Sequence, residues 1–511
     1  MKNKVVVIWG THPVRSGLIE QYRQAGTKVL VFDSLVIDCC LEPLPDEMVI
    51  LTDVTGDGFK QDQLSLRFLR DLADQVGARE DRLLVHLLVR EAITLRMCRE
   101  MDFPSQVNAA FEVYPFTMEE SWAETVLVRL PGINANLYPA LDREPIGEES
   151  GQFVHLVISG SDSYAQSMAQ IAAQVSHFPN YVGKGNPPLR TRITFIQQGI
   201  EPFRDQFVAQ YQTLFNHSYY RTIWPARKVS QFHHPQYEGV REDFVDVEWE
   251  FVDAPLSHPV VVDKLTAWSS DANRQLTIVL SDASDSINVK NALSLPSKVF
   301  DRHIPVLVRL HANILPDTAR QDPRFSNLLS FGMDYSGYNV HLPVVRMSRL
   351  LHYIYTFCSI SGSIPTVLPP EDVKTEWRKA VSLKHRLSNA YCVMTMATKM
   401  HSIGHDKSDP VTFYALTEDE VATLTRAEHN RWCVEKLLSG FRPCTEKERA
   451  AVEADISRKK ELKETSRAHY DLCAFDELRS DENGLDVRVY DRTIIAAIPL
   501  LVLTYLKEER P

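Results

Sequence analysis

Three side chains of complementary chemistry lie within five residues of one another, at Glu428, Arg431 and Trp432. An indole face can stack on a flat ring, a carboxylate can accept from N–H groups, and a guanidinium can hold a phosphate. The sequence therefore predicts a ligand site whose residues are Glu428, His429, Arg431, Trp432, His469 and Tyr470. The alternative that it leaves open is that Trp432 anchors a helical core.

One predicted helix within residues 416–443 must position the first four of these side chains. Thr417 and Glu420 have the spacing of a capping box, and Gly440 suits a left-handed stop. On such a helix the carboxylate and the indole are one turn apart, and the guanidinium lies on the adjoining side.

The run Glu428-His429-Asn430-Arg431-Trp432, followed by Gly440-Phe441, resembles the RyR domain, the small helical module of ryanodine receptors that also occurs in bacterial multidomain proteins. Further segments agree in order with that module: Leu387-Ser388-Asn389, His469-Tyr470-Asp471-Leu472, Tyr490-Asp491-Arg492 and Ile498-Pro499-Leu500-Leu501. The resemblance covers residues 371–511. It implies an all-α domain that is a receptor for a small nucleotide-derived ligand.

The N-terminus predicts a Rossmann-type βαβ unit, with strands at residues 5–8 and 29–32 and a helix at 16–24. The first loop keeps only the first glycine of G-x-G-x-x-G, because His12 and Arg15 occupy the other two positions. The predicted cofactor-binding residues here are Gly10, Thr11, His12, Arg15 and Asp33. We expect either a scaffold or an atypical nucleotide site, in which NAD does not adopt its usual pose.

Asp53 and the Thr55-Gly56-Asp57 turn follow a third predicted strand at residues 48–51. They resemble the TrkA-N, or RCK, regulatory domain, and the resemblance covers residues 4–144. It implies nucleotide binding and control of ion transport.

A second unit repeats this order, so the sequence predicts an internal duplication. A strand at residues 153–158 leads through Gly160 and Ser161, the two predicted cofactor-binding residues, into a helix at 165–175. Asp162 is interpreted as a helix cap, because a carboxylate repels phosphate, and Gln197 stands where a ribose-binding acid is usual.

The predicted domains are residues 1–147, 148–368 and 369–511, and the predicted fold class is α/β: two Rossmann-like parallel-sheet domains followed by an all-α RyR-like domain. Turn-rich residues 147–151 mark the first boundary, and prolines at 365–370 mark the second. The Pro- and aromatic-rich residues 219–259 are expected to insert loops or a lid.

Composition narrows the function classes. The net charge of −11 excludes a general nucleic-acid binder, and 44% hydrophobic residues are ordinary for a globular protein. Eight cysteines without a CxxC pair favour a reducing compartment, and no zinc or other metal motif is present. The apolar run at residues 493–506 is shorter than a membrane helix requires, so a cytoplasmic protein without a membrane span is expected.

The sequence is interpreted as that of a cytoplasmic sensor and homo-oligomer. A small nucleotide-type ligand is expected to bind in the RyR-like module or in a cleft between it and the two Rossmann-like domains. A role in stress or anti-phage signalling is what the resemblance implies. The bound cofactor is expected to be a nucleotide or dinucleotide. Three alternatives stay open. They are an NAD(P)-dependent or nucleotide-processing enzyme, for which no catalytic residue is found, a regulator of an ion transporter, and a purely structural interaction protein.

Overall fold

The computed structural model describes residues 4–37, 44–131, 137–181, 189–236, 243–312, 322–380, 382–405, 415–480 and 484–508. Within them the chain forms two Rossmann-like sheets followed by a helical region, which confirms the predicted α/β fold class.

The first sheet has five strands in the order β2-β1-β3-β4-β5, all parallel. Its strands are β1 (Val5–Trp9), β2 (Lys28–Phe32), β3 (Glu47–Ile50), β4 (Leu83–Leu88) and β5 (Phe111–Phe116). Its helices are α1 (Arg15–Gln24), α2 (Gly58–Val76), α3 (Ala92–Glu100), α4 (Ser105–Ala110) and α5 (Met118–Leu127). The central strands are continuous apolar runs because helices cover both of their faces. In this order the topological switch point lies between β1 and β3.

The second sheet has eight strands in the order β13-β12-β11-β6-β7-β10-β8-β9. They are β6 (Phe153–Ser159), β7 (Thr191–Ile196), β8 (Tyr220–Trp224), β9 (Val229–His233), β10 (Val247–Val252), β11 (Arg274–Leu280), β12 (Val306–Arg309) and β13 (Leu328–Phe331). Its helices are α6 (Ser163–Val175), α7 (Glu201–Gln210), α8 (Gln212–Phe215), α9 (Pro259–Ser270), α10 (Asp285–Leu293) and α11 (Ser297–Asp301). Of the described pairings, β8 with β9 is antiparallel and the rest are parallel.

The expectation of loops or a lid at residues 219–259 is wrong for the described part of that segment. It contributes β8, β9 and β10, which extend the sheet beyond β7. Five of its aromatic residues lie in these strands, Tyr220, Trp224, Phe232, Trp249 and Phe251, and the last two are buried in the core. β-branched and aromatic residues pack well on a pleated sheet, so this composition favours strands.

The C-terminal region is helical apart from a two-residue parallel pair, β14 (Arg442–Pro443) with β15 (Ala468–His469). Its helices are α12 (Pro343–Ser361), α13 (Pro370–Lys379), α14 (Leu383–Met394), α15 (Met396–Ser402), α16 (Glu418–Leu438), α17 (Glu446–Ala454), α18 (Arg458–Thr465), α19 (Arg488–Ala496) and α20 (Ile498–Glu508). Helix α12 packs on α13, α14, α19 and α20, and α16 packs on α6 and α19. The boundary at residue 369 and the RyR assignment stay predictions.

One stretch of the described chain, Arg488–Glu508, is long and apolar enough to cross a membrane by length and composition alone. In the structure, 39% of its most apolar window is buried. Core helices of soluble proteins pass the same test, so the finding is weak evidence for a span.

Candidate ligand-binding site

The first βα loop is closed by its own arginine. Arg15 Nη1 donates to the Gly10 carbonyl oxygen over 2.7 Å and to Asp33 Oδ1 over 2.6 Å. The acid that could take a ribose hydroxyl is therefore paired across the loop, and Thr11 is exposed to solvent. Asp33 thus forms an internal ion pair with Arg15, and its ribose-binding role stays a prediction.

His12 is a partly buried polar residue of this loop. Its Nδ1 accepts from the Val14 backbone N–H over 3.2 Å. Burial, and then the charge of Arg90, lower the pKa of His12 to about 4. The ring is therefore neutral at pH 7, and its Nε2 carries the hydrogen as a donor.

The second βα loop is filled by a carboxylate. Asp162 Oδ1 accepts from the Ala165 backbone N–H over 2.8 Å, which confirms the predicted cap of α6. The same carboxylate accepts from Ser281 Oγ and pairs with Arg309, each over 2.7 Å. An anion of the chain itself therefore occupies the helix end beside Gly160 and Ser161, where a cofactor phosphate would lie.

The central helix α16 has both predicted ends, because Thr417 and Glu420 form the capping box and Gly440 has a φ of +80°. The two charged groups predicted to bind the ligand do not face solvent, however. Glu428 and Arg431 are buried at 0% and 1% exposure and contact each other over 2.8 Å.

These two side chains belong to a row of alternating charges within the helical region. Lys399 Nζ lies 2.8 Å from Glu428, Arg431 lies 2.7 Å from Glu435, and Glu435 pairs with Lys436 over 2.7 Å. Burial opposes ionisation, but the adjacent Arg431 and Lys399 lower the pKa of Glu428 to about 2. Glu428 is therefore ionised and already paired.

His429 and His469 form an aromatic cluster with the half-buried Trp432. The His429 ring lies 5.7 Å from the indole and the His469 ring 4.9 Å from it. His429 Nε2 contacts the Cys473 carbonyl oxygen over 2.9 Å. Tyr470 faces elsewhere and packs under the guanidinium of Arg449.

A cavity of about 610 Å³ lies where the two sheets and the helical region meet. We call it the central cavity. The first sheet contributes residues at the carboxyl ends of β1, β3, β4 and β5, among them His12, Val54, Arg90 and Thr117. The second contributes the start of α6 and Arg309 at the end of β12, and the helical region contributes Lys384, Tyr391, Lys436 and Arg467. Of the thirteen residues predicted to bind a ligand or cofactor, His12 alone is among its described lining residues.

The cations of the central cavity fall into two groups. Arg99 pairs with Glu120 over 2.8 Å, and Arg96 pairs with Glu100 over 2.6 Å. In contrast, Arg90 Nη1 donates to two backbone carbonyl oxygens, and Lys384 Nζ lies 4.7 Å from the ring centre of Phe441. No carboxylate within the described ranges forms an ion pair with Arg90 or Lys384.

Sequence reasoning missed both unpaired cations. Arg90 could have been found from the sequence, because it lies two residues beyond the end of β4 and ligands of open α/β sheets bind at strand ends. Lys384 gave no local signal, since it lies at the start of an ordinary amphipathic helix and only tertiary packing brings it to the cavity.

No family model matches this chain, and no curated protein matches it. A shikimate dehydrogenase in complex with NADP+ is among the solved structures that are similar to it. That likeness has a TM-score of 0.27 at 11% identity and covers 74% of this chain and 95% of the other. A likeness at this level carries no argument about function.

Proposed function

We propose that this chain is a regulatory sensor that binds a small nucleotide-derived ligand in the central cavity. The observation that carries the proposal is the lining of that cavity, to which both sheets and the helical region contribute. Ligands of open α/β sheets bind at the carboxyl ends of the strands, and the first sheet presents four such ends there. A volume of about 610 Å³ suits a small-molecule ligand.

The cations on one side of the cavity support an anionic ligand. They are Lys384, Lys436 and Arg467. Lys436 pairs with Glu435 and Arg467 with Glu100, whereas Lys384 forms no ion pair within the described ranges. Burial, and then the charges of Arg467 and Lys436, lower the pKa of Lys384 below its ordinary value. A phosphate bound here would remove that repulsion, and Arg90 and the neutral His12 donor would meet the ligand from the first sheet.

The shared lining also supports a sensing role. A ligand that contacts the sheets and the helical region together stabilises the arrangement in which they enclose it. The RyR-type resemblance of the helical region points the same way. On this proposal, the downstream response is a change of assembly or of partner binding, in a cytoplasmic homo-oligomer that acts in stress or anti-phage signalling.

The proposal is tested with the full chain by thermal shift and calorimetry. The probes are ATP, GTP, NAD+, ADP-ribose and inorganic tripolyphosphate. A probe at a hundredfold excess over its Kd should stabilise the folded chain by about 2.7 kcal/mol. If none of the five stabilises the protein, the nucleotide class is wrong.

Two cavity variants locate the site. Arg90→Met and Lys384→Met each remove one charge-assisted contact and should weaken binding by about tenfold or more. The matched controls are Arg70→Met and Lys460→Met, whose wild-type side chains are 51% and 81% exposed outside the cavity. Equal affinities in folded cavity and control variants would place the ligand elsewhere.

A further inference from the structure

A second, more apolar chamber adjoins the central cavity. It has a volume of about 300 Å³ and lies between the end of β5, helix α5, residues 337–345 and helix α14. We call it the side chamber. Four residues line both spaces: Arg99, Glu120, Leu387 and Tyr391. The ion pair of Arg99 with Glu120 therefore lies at the border between them.

Flat rings form part of the side chamber. The rings of Phe116 and Tyr338 stack with their centres 3.6 Å apart and an angle of 12° between their planes. Tyr391, Leu342 and Met394 complete much of the apolar lining. A planar group of one or two fused rings suits such walls in size and polarity.

Glu124 is the acid in this lining that lacks a partner. No hydrogen bond or ion pair to its carboxyl group occurs within the described part of the chain, whereas Glu120 on the same helix is held by Arg99. Burial, and then the negative charge of Glu120, raise the pKa of Glu124 to about 8, although Arg99 opposes the shift. The titratable or charged groups that line the chamber around it are Arg99, Tyr114, Glu120, Tyr338 and Tyr391.

We propose that the side chamber binds an amino-substituted heteroaromatic ring of the adenine type, with Glu124 accepting from the exocyclic amino group and donating to the adjacent ring nitrogen. A neutral carboxyl group offers one donor and one acceptor side by side, which matches that edge of the ring. The aromatic walls supply stacking, and the apolar lining excludes a charged group from the rest of the chamber.

The side-chamber proposal rests on the proposed function in one respect, which is the position of the ligand's phosphates. A nucleotide whose base lies in the side chamber would extend its phosphates past the border formed by Arg99 and Glu120 into the central cavity. The base-binding claim itself stands on Glu124 and the side chamber, so it can fail while the phosphate claim survives.

The experiment uses adenosine, which carries no phosphate, and calorimetry of the full chain between pH 6 and pH 9. Wild-type affinity should be level below the pKa of Glu124 and then fall by up to about tenfold per pH unit. An ionised carboxylate no longer donates to the ring nitrogen. Purine riboside, which lacks the amino group, should bind at least about fivefold more weakly, since one hydrogen bond is lost.

Three variants separate the roles of charge and hydrogen bonding. Glu124→Gln keeps one donor and one acceptor at every pH, so it should bind adenosine and lose the pH dependence. Glu124→Met should lose about tenfold or more in affinity. The control Glu464→Met changes an exposed acid on α18 and should behave as the wild type.

Three results would overturn the inference. They are no adenosine binding to the wild type, equal binding by Glu124→Met, and an affinity that rises with pH and disappears in Glu124→Gln. The last would show that Glu124 binds the ring as an ionised acceptor and not as a neutral donor and acceptor. Binding of tripolyphosphate that depends on Lys384 but not on Glu124 would leave the proposed function intact in each case.

Discussion

The first βα loop of each sheet has a similar backbone conformation, but the two loops differ in the side chains that fill them. Gly10 and Gly160 have φ values of +102° and +126°. A Cβ at Gly10 would overlap the Leu51 carbonyl oxygen, and one at Gly160 would overlap that of Ser281. Each glycine is therefore required by a neighbouring strand end, whether or not a phosphate ever binds.

The polar side chains of the two loops act in opposite ways. In the first loop Arg15 pairs with Asp33 toward solvent, and His12 is left facing the central cavity. In the second, Asp162 closes the crevice between β6 and β11 with its own charge. A retained glycine therefore reflects strand packing, while the neighbouring side chains decide whether a strand end can bind a ligand.

The largest expected effect concerns the glycines. Gly160→Ala and Gly10→Ala should each destabilise the chain by about 3–5 kcal/mol, because backbone strain and overlap with a carbonyl oxygen add. Gly26→Ala is the control, since it also has positive φ (+70°) but nothing within 4 Å of the added Cβ. Chemical denaturation of the three variants measures the ranking, and equal losses would remove the packing explanation.

A difference in acid sensitivity should follow from His12. Its pKa is about 4 in the folded chain and about 6.5 when unfolded. Between these values the unfolded chain takes up the proton and the folded chain does not, so stability falls as the pH drops from 6.5 to 4. Relative to His12→Asn, the wild type should lose up to about 3 kcal/mol over that range. Parallel pH profiles of the two proteins would contradict this.

Asp162→Asn should have an intermediate effect. The amide oxygen can still cap α6, but Arg309, with 12% of its side chain exposed, loses its charge partner. We expect a loss of about 2 kcal/mol, measured by thermal denaturation. Asp162→Ala, which also removes the cap, should lose about 1 kcal/mol more. If Asn is as stable as Asp, the ion pair contributes nothing to closing the second loop.

The smallest effect is expected at Asp33, the matching acid of the first loop. Its side chain is 78% exposed, so solvent screens the pair with Arg15. Asp33→Asn should change stability by less than about 1 kcal/mol in the same thermal assay. A loss as large as that of Asp162→Asn would erase the distinction between the two loops.

Features that depend on neighbouring residues could be predicted from the sequence. The capping box of α16, the αL stop at Gly440 and the cap at Asp162 each use residues within about four positions. The first strands of both sheets could be predicted as well, because buried parallel strands are continuous apolar runs.

The candidate site could not be predicted in the same way. Helical spacing places Glu428 and Arg431 correctly on α16, but their exposure depends on Lys399 and α14, which pack against them from outside the helix. The central cavity combines residues from His12 to Arg467, separated by most of the chain. No local sequence pattern indicates that residues so far apart meet in space. The site prediction relied on helical spacing alone, and it therefore selected Glu428 and Arg431 on the buried face of α16.

The row of alternating charges along α16, together with Lys399, can transmit the electrostatic effect of a bound ligand into the helical region. Its outer member, Lys436, lines the central cavity, while Glu428 and Lys399 lie in the interior of the helical region. An anion that draws Lys436 away leaves Glu435 more dependent on Arg431, and the pull on Glu428 weakens in turn. The eight residue-to-residue steps from Glu428 to Lys436 span about 12 Å of helix. Polarisation along this row would thus transmit the electrostatic effect of the ligand inward without any movement of the backbone.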